Sequence, residues 1–153
     1  MRRQTDPVDK ALHRKIGTYL FNHTWSLLER KRRSPGQNHE MLSAAHASLY
    51  HWSRGGGQRN RCIAEWQVSR VYSVLGRPEP ALHHGQRALE IARHGRVAPF
   101  YVAYAYEALA RAAAVAGQRG ARARYLRKAE RIGKTVRDSQ ERKLLMDDLA
   151  TIP

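Results

Sequence analysis

Apolar residues recur along the chain with the period of amphipathic helices. In the middle of the chain, for example, Val68, Val71 and Leu75 recur at spacings of three and four residues. This spacing places side chains on one face of a helix, whereas a strand would require alternation at every second residue. The pattern over the whole chain predicts helices at residues 7–32, 36–53, 59–75, 78–94, 99–116, 119–136 and 139–149.

The predicted helices follow an internal repeat. Gly36, Gly76 and Gly117 lie about 40 residues apart, and each one separates two apolar-striped segments. Glycine tolerates the left-handed backbone conformation that commonly ends a helix, so we expect a turn at each of the three. A repeat of this length is typical of helical pairs that stack on their neighbours.

The middle unit resembles a tetratricopeptide repeat (TPR). Residues 69–77 carry a tyrosine one turn before the glycine, Ala-Leu follows the turn, and residues 87–92 end the unit with Ala-Leu-Glu-Ile-Ala. The third unit is similar but has Arg122 where the family has a small residue, and the first unit matches at Trp25 and Leu28. The period of about 40 resembles the long-helix variant of the family.

This resemblance implies an all-α fold, a right-handed solenoid of three antiparallel helical hairpins. The hairpins would span residues 7–53, 59–94 and 99–136, and a helix at 139–149 would cap the exposed end of the solenoid. The 153 residues, of which 42% are hydrophobic, suffice for one core, so we expect a single domain over residues 1–153.

In the TPR family the first helices of successive hairpins line a concave groove that binds peptides. The repeat alignment places Arg30, Arg70 and Arg111 in one column of this groove, with Trp66 and Glu107 one turn before the second and third. The resemblance therefore implies a scaffold for a peptide or protein partner, whose acidic groups would meet the guanidinium groups. The alternative is that Arg70 and Arg111 form structural ion pairs with Glu107 or Glu65.

A second candidate site involves polar aromatic side chains on an otherwise apolar helix. His46 and Tyr50, together with Trp66 and Tyr72, predict a small-ligand pocket between the first two hairpins. A small enzyme could use this region together with Glu107, and ordinary packing is the alternative. His46 and His51 are five residues apart, whereas metal-binding histidines on one helix prefer a spacing of four. The sequence therefore predicts no metal site and no cofactor, and it contains no known catalytic motif.

Net charge adds a further hypothesis. The chain carries a formal charge of +15, and basic residues cluster at 119–137. Their helical spacing predicts a basic face opposite an apolar stripe, which suits nucleic acid or an anionic lipid surface, although such a face is often merely solvated. The residues proposed for this face are Arg124, Arg127, Arg131 and Lys134.

The single cysteine and the absence of a long apolar run bear on the compartment. One thiol, Cys62, excludes an internal disulfide and favours a reducing environment. No apolar run approaches the roughly 18 residues required to span a bilayer, and no apolar stretch follows the charged first residues. We therefore expect a cytoplasmic protein of undetermined oligomeric state.

Overall fold

A computed structural model describes residues 6–153, which form seven α-helices and no β-strand. This confirms the predicted all-α class, and each helix boundary lies within four residues of the predicted one. The helices are α1 (Lys10–Leu28), α2 (Pro35–Gly55), α3 (Gln58–Val74), α4 (Pro78–His94), α5 (Pro99–Val115), α6 (Arg119–Gly133) and α7 (Ser139–Ala150).

Local sequence signals account for several of the helix starts. Ser34 caps α2 through a reciprocal pair of hydrogen bonds with Gln37, and Pro35 occupies the first helical position. Asp138 caps α7, because its carboxylate accepts hydrogen bonds from two backbone N–H groups of the first turn. Such caps satisfy backbone donors that have no partner within the helix.

The turn predicted at Gly36 is wrong, whereas those at Gly76 and Gly117 are found. Gly76 and Gly117 follow α3 and α5 with φ angles of 68° and 70°, in the left-handed region that favours glycine. Gly36 is instead the second residue of α2, because the cap at Ser34 starts that helix earlier. The link between α1 and α2 is therefore the segment 29–34.

Packing centres on α5. Every residue from Ala103 to Ala113 is buried, and the helix contacts α3, α4, α6 and α7. A helix surrounded in this way must be apolar on nearly all sides, which explains its alanine-rich sequence. A second buried cluster, around Leu27, Met41 and Val68, joins α1, α2 and α3.

Neighbouring helices contact one another throughout the described part of the chain. The largest contacts join α1 with α2, α3 with α4, and α5 with α6, while α1 also contacts α3 and α3 contacts α5. This arrangement places α1, α3 and α5 side by side. Among residues 6–153, no helix combines the length and the apolarity needed to cross a membrane.

Candidate functional site

A groove of about 370 Å³ lies between α1, α3, α5 and α7. Most of its lining is aromatic, and these side chains are Phe21, Trp25, Trp66, Phe100, Tyr101 and Tyr104. The remaining lining comprises Asn22, Cys62, Ile63, Leu144 and Asp148. Its volume is in the range of ligand pockets, roughly 300–1,000 Å³, and its mainly apolar wall with few polar groups is typical of them.

The aromatic rings of the groove pack against one another at differing angles. The ring centroids of Trp25 and Trp66 are 5.8 Å apart, with ring planes tilted by 37°. Tyr104 stands nearly perpendicular to Trp66, at 5.4 Å and 82°, and Phe100 lies 4.9 Å from Tyr104 at 69°. Edge-to-face contacts of this kind stabilise the rings, so the groove has a pre-formed wall.

A buried carboxylate, that of Glu107, fixes the base of this wall. Its side chain is fully buried and accepts hydrogen bonds from Trp66 Nε1 at 2.7 Å, Arg70 Nη1 at 3.1 Å and Arg111 Nε at 2.7 Å. Burial lowers the pKa of Arg70, while the nearby Glu107 carboxylate acts in the opposite direction. The cluster therefore orients the Trp66 indole and neutralises the buried charge of Glu107.

The same cluster fastens α7 to α5. Arg111 Nη2 donates to the Asp148 carbonyl oxygen at 3.1 Å and to Thr151 Oγ1 at 2.9 Å. Tyr104 Oη donates to Asp148 Oδ2 at 2.6 Å, and burial together with this hydrogen bond raises the pKa of Tyr104. Asp148 is thus held at the edge of the aromatic wall.

The predicted arginine column does not form. Gly36 lies inside α2 and does not follow the end of a helix as Gly76 and Gly117 do, so an alignment on these glycines shifts the first repeat relative to the other two. Arg30 lies beyond the end of α1 and is exposed. Counted back from the C-caps of α1, α3 and α5, the position of Arg70 and Arg111 corresponds to Thr24 in α1. The two remaining arginines form the ion pairs with Glu107 that the sequence offered as the alternative.

The proposed pocket at His46, Tyr50 and Tyr72 is brought together in part. His46 Nε2 lies 2.9 Å from Tyr72 Oη, in hydrogen-bonding distance, but Tyr50 is 55% exposed and packs instead beside His13 and His51. Of the four residues predicted for this pocket, Trp66 lines the groove and these three do not.

His46 and Tyr72 belong to a packed polar cluster between α2, α3 and α4. His84 of α4 stacks on Tyr72 and is hydrogen-bonded to the buried Glu65 through Nδ1, at 2.7 Å. Burial lowers the pKa of His46, and the neighbouring His84 lowers it further. The part of the chain described here holds no group of three potential metal ligands.

The structure contains a histidine pair, His13 and His51, that the sequence does not predict. His13 is 2% exposed, and its Nδ1 lies 2.8 Å from Nδ1 of His51, while its Nε2 lies 3.1 Å from Asp6 Oδ2. One imidazole must donate to the other at this contact, so a single proton lies between the two Nδ1 atoms. Burial and the His13 ring both lower the pKa of His51. The spacing of 38 residues gave no local signal for this contact.

The basic face predicted around α6 is exposed. Arg124, Arg127, Arg131 and Lys134 all lie at the surface, and within residues 6–153 none of them forms an ion pair. On the opposite side of the helix the apolar stripe packs into the core, through residues that include Tyr125, Ala129 and Ile132. The exposed face of α6 is therefore basic, and its apolar residues face the core.

The fold and the groove together define the class of this molecule, an all-α protein with an aromatic groove between neighbouring helices. No model of a known protein family matches the chain, and no curated protein matches it either. Its function is therefore argued from the residues of the groove and of the surface.

Proposed function

We propose that this protein is a TPR-like scaffold that binds a peptide or protein partner in the groove between α1, α3, α5 and α7. The observation that supports the proposal is the lining of this groove by alternate helices, which is the arrangement that the family resemblance implies. In this proposal α1–α2, α3–α4 and α5–α6 are the three hairpins of a right-handed solenoid, and α7 is its cap.

The aromatic lining of the groove favours an anchor with an apolar surface on the partner. Burying one side chain the size of leucine or phenylalanine contributes about 1.5–3 kcal/mol, and interface energy is concentrated at such anchors. Arg70 retains 19% exposure of its side chain beside the cluster. Together with the net charge of +15, this favours acidic residues flanking the anchor, mainly through faster association.

Selection of peptides from a random library whose members include methylated lysine tests this proposal. Enriched peptides should bind the wild-type protein, and Ile63→Arg should weaken their binding at least tenfold, because the new side chain projects from the groove wall. Tyr19→Arg makes the same change in charge at a position of α1 that is 67% exposed, and it should leave binding within about twofold.

Thermal unfolding of both variants distinguishes groove blockage from misfolding. Folded Ile63→Arg that binds the enriched peptides as well as wild type would contradict the proposal. So would a library that yields no peptide dependent on the groove.

The exposed basic face supports a second candidate function, binding of double-stranded nucleic acid through its phosphates. The four cations are unpaired within the described residues, and their spacing of three and four residues aligns them along one side of the helix. The apolar side of α6 is packed in the core, so this helix offers no apolar face for membrane insertion. Its exposed face also carries no aromatic residue for base stacking on a single strand.

Salt dependence tests this second function. Four phosphate contacts predict that affinity for duplex DNA falls about 10²-fold between roughly 50 and 200 mM salt. Changing all four basic residues to glutamine should flatten this slope. A control removes the same charge at exposed positions elsewhere, by glutamine at Lys15, Lys31, Arg32 and Arg59. If both quadruple variants lose the same affinity, the binding reflects net charge and not this face.

A further inference from the structure

We infer that the groove recognises a quaternary or fully methylated ammonium group, held by its aromatic rings and by the Asp148 carboxylate. This inference rests on the proposed function and names the chemistry of the partner's anchor. The partner would be a peptide that carries such a group.

The aromatic rings of the groove attract cations. Each ring has a negative face that attracts a cation within about 6 Å of its centroid. Trp25, Trp66, Tyr104 and Phe100 follow one another at centroid distances of 4.9–5.8 Å, with successive planes turned by 37–82°. Their faces therefore point in several directions around one groove, which suits a compact rounded cation better than a flat apolar ring.

The Asp148 carboxylate adds a negative charge to the groove. Among the charged side chains of residues 6–153, it is the one that lines the groove, and it is partly buried there. Its hydrogen bond from Tyr104 satisfies one oxygen. An uncharged apolar anchor would cover this carboxylate and remove it from water without compensation, which is unfavourable. A cation at the same place offsets that cost.

The polar capacity of the groove favours a methylated cation over a primary ammonium. A lysine ammonium brings three N–H donors that all need acceptors once buried. Besides the Tyr104 hydroxyl, which donates to Asp148, the groove offers acceptors on three different helices, at Asn22, Tyr101 and Asp148, and the rest of its wall is mainly apolar. A quaternary ammonium has no N–H group to satisfy and presents methyl groups to the rings.

The neighbouring arginines do not make this an anion site. Arg70 and Arg111 both contact Glu107, and neither lines the groove. Glu107 pairs with both guanidinium groups, whereas the Asp148 carboxylate accepts from Tyr104 and, within residues 6–153, forms no ion pair. The carboxylate at the aromatic wall is therefore the one left to meet a cationic ligand.

A pair of nearly isosteric probes tests the inference on the full chain. Choline carries a trimethylammonium head, and 3,3-dimethylbutan-1-ol carries the uncharged carbon equivalent. Fluorescence of Trp25 and Trp66 in the groove, checked by calorimetry, should show that choline binds at least tenfold more tightly, a difference of about 1.4 kcal/mol.

Two variants with equal changes in charge locate this preference. Asp148→Asn keeps an oxygen that can accept from Tyr104, and it should reduce the preference for choline to less than threefold. Asp147→Asn removes a carboxylate from the adjacent residue, whose side chain is 62% exposed, and should leave the preference unchanged.

Each outcome has a distinct meaning. Equal binding of the two probes, lost in Ile63→Arg, would overturn the inference and leave the scaffold proposal standing with an uncharged anchor. No binding of choline would also overturn the inference, and the peptide selection would then decide the scaffold proposal alone. Choline preference that survives Asp148→Asn would exclude the role given to that carboxylate.

Discussion

Replacement of Glu107 by alanine should be among the most destabilising single changes in this protein. The carboxylate is fully buried and holds three donors, from Trp66, Arg70 and Arg111. Removing one member of a buried ion pair typically costs about 3–5 kcal/mol, because the remaining charge stays desolvated without compensation. The side chain of Arg111 is 9% exposed, so it can recover little hydration.

This magnitude is large on the scale of the whole molecule. Domains are typically stable by about 5–15 kcal/mol, so the variant should lose a substantial part of its stability. For a chain of this size each kcal/mol shifts the melting temperature by about 2–4 °C, which predicts a fall of about 6–20 °C. Arg70→Ala should cost less, because Trp66 and Arg111 still contact Glu107.

Thermal and urea unfolding, followed by circular dichroism, measure the effect. Glu130→Ala removes an acid from an exposed position of α6 and should change stability by less than about 0.5 kcal/mol. If Glu107→Ala and Glu130→Ala unfolded at the same temperature, the reasoning about a buried, charge-paired Glu107 would be wrong.

Three further predictions concern a turn, two histidines and the thiol. Gly76→Ala should destabilise the fold by about 1–2 kcal/mol because Gly76 has a positive φ, whereas Gly36→Ala, inside a helix, should be neutral or stabilising in the same melting assay. The pKa values of His46 and His51 are lowered from 6.5, so the unfolded chain binds protons first and stability should fall as pH drops below about 6.5. Replacing both histidines with glutamine should flatten this pH dependence of the melting temperature. An unchanged pH dependence in the double variant would contradict the prediction. Burial raises the pKa of Cys62 from 9.0 to about 12, so at pH 8 its thiolate fraction should be on the order of 10³ times lower than in the denatured chain. Its reaction with a disulfide reagent should be slower by up to about this factor, and equal rates would show that the thiol is accessible.

Much of the helical organisation could be predicted, because it depends on local signals. The 3.6-residue period, the prolines at helix starts and the left-handed glycines Gly76 and Gly117 act within a few residues. The error at Gly36 has the same local origin, since glycine at a helix start and glycine at a helix end look alike in a sequence. The cap at Ser34, followed by Pro35 and Gln37, was the signal that distinguishes them.

The candidate site was predicted less well, because it depends on contacts between distant segments. The repeat places Trp66 and Glu107 at equivalent positions of two successive units, but it gives no signal for the direct hydrogen bond between them, which spans 41 residues. Asp148 lies on the helix that the sequence predicts as a polar cap, and no periodicity shows that a cap also lines a groove. Phe100 and Tyr104 are visible in the sequence as part of an aromatic segment, but only the packing of α5 shows that both side chains face the groove.

The double role of α7 has a thermodynamic consequence. Leu144 and Asp148 form part of the groove, while Arg111 and Tyr104 hold the same helix against α5. A molecule that occupies the groove contacts α7 only when that helix is docked, so occupancy and docking are linked and each strengthens the other by the same factor. Slower amide exchange in α7 would therefore report on occupancy, and any change that loosens this helix would weaken binding without touching the bound molecule.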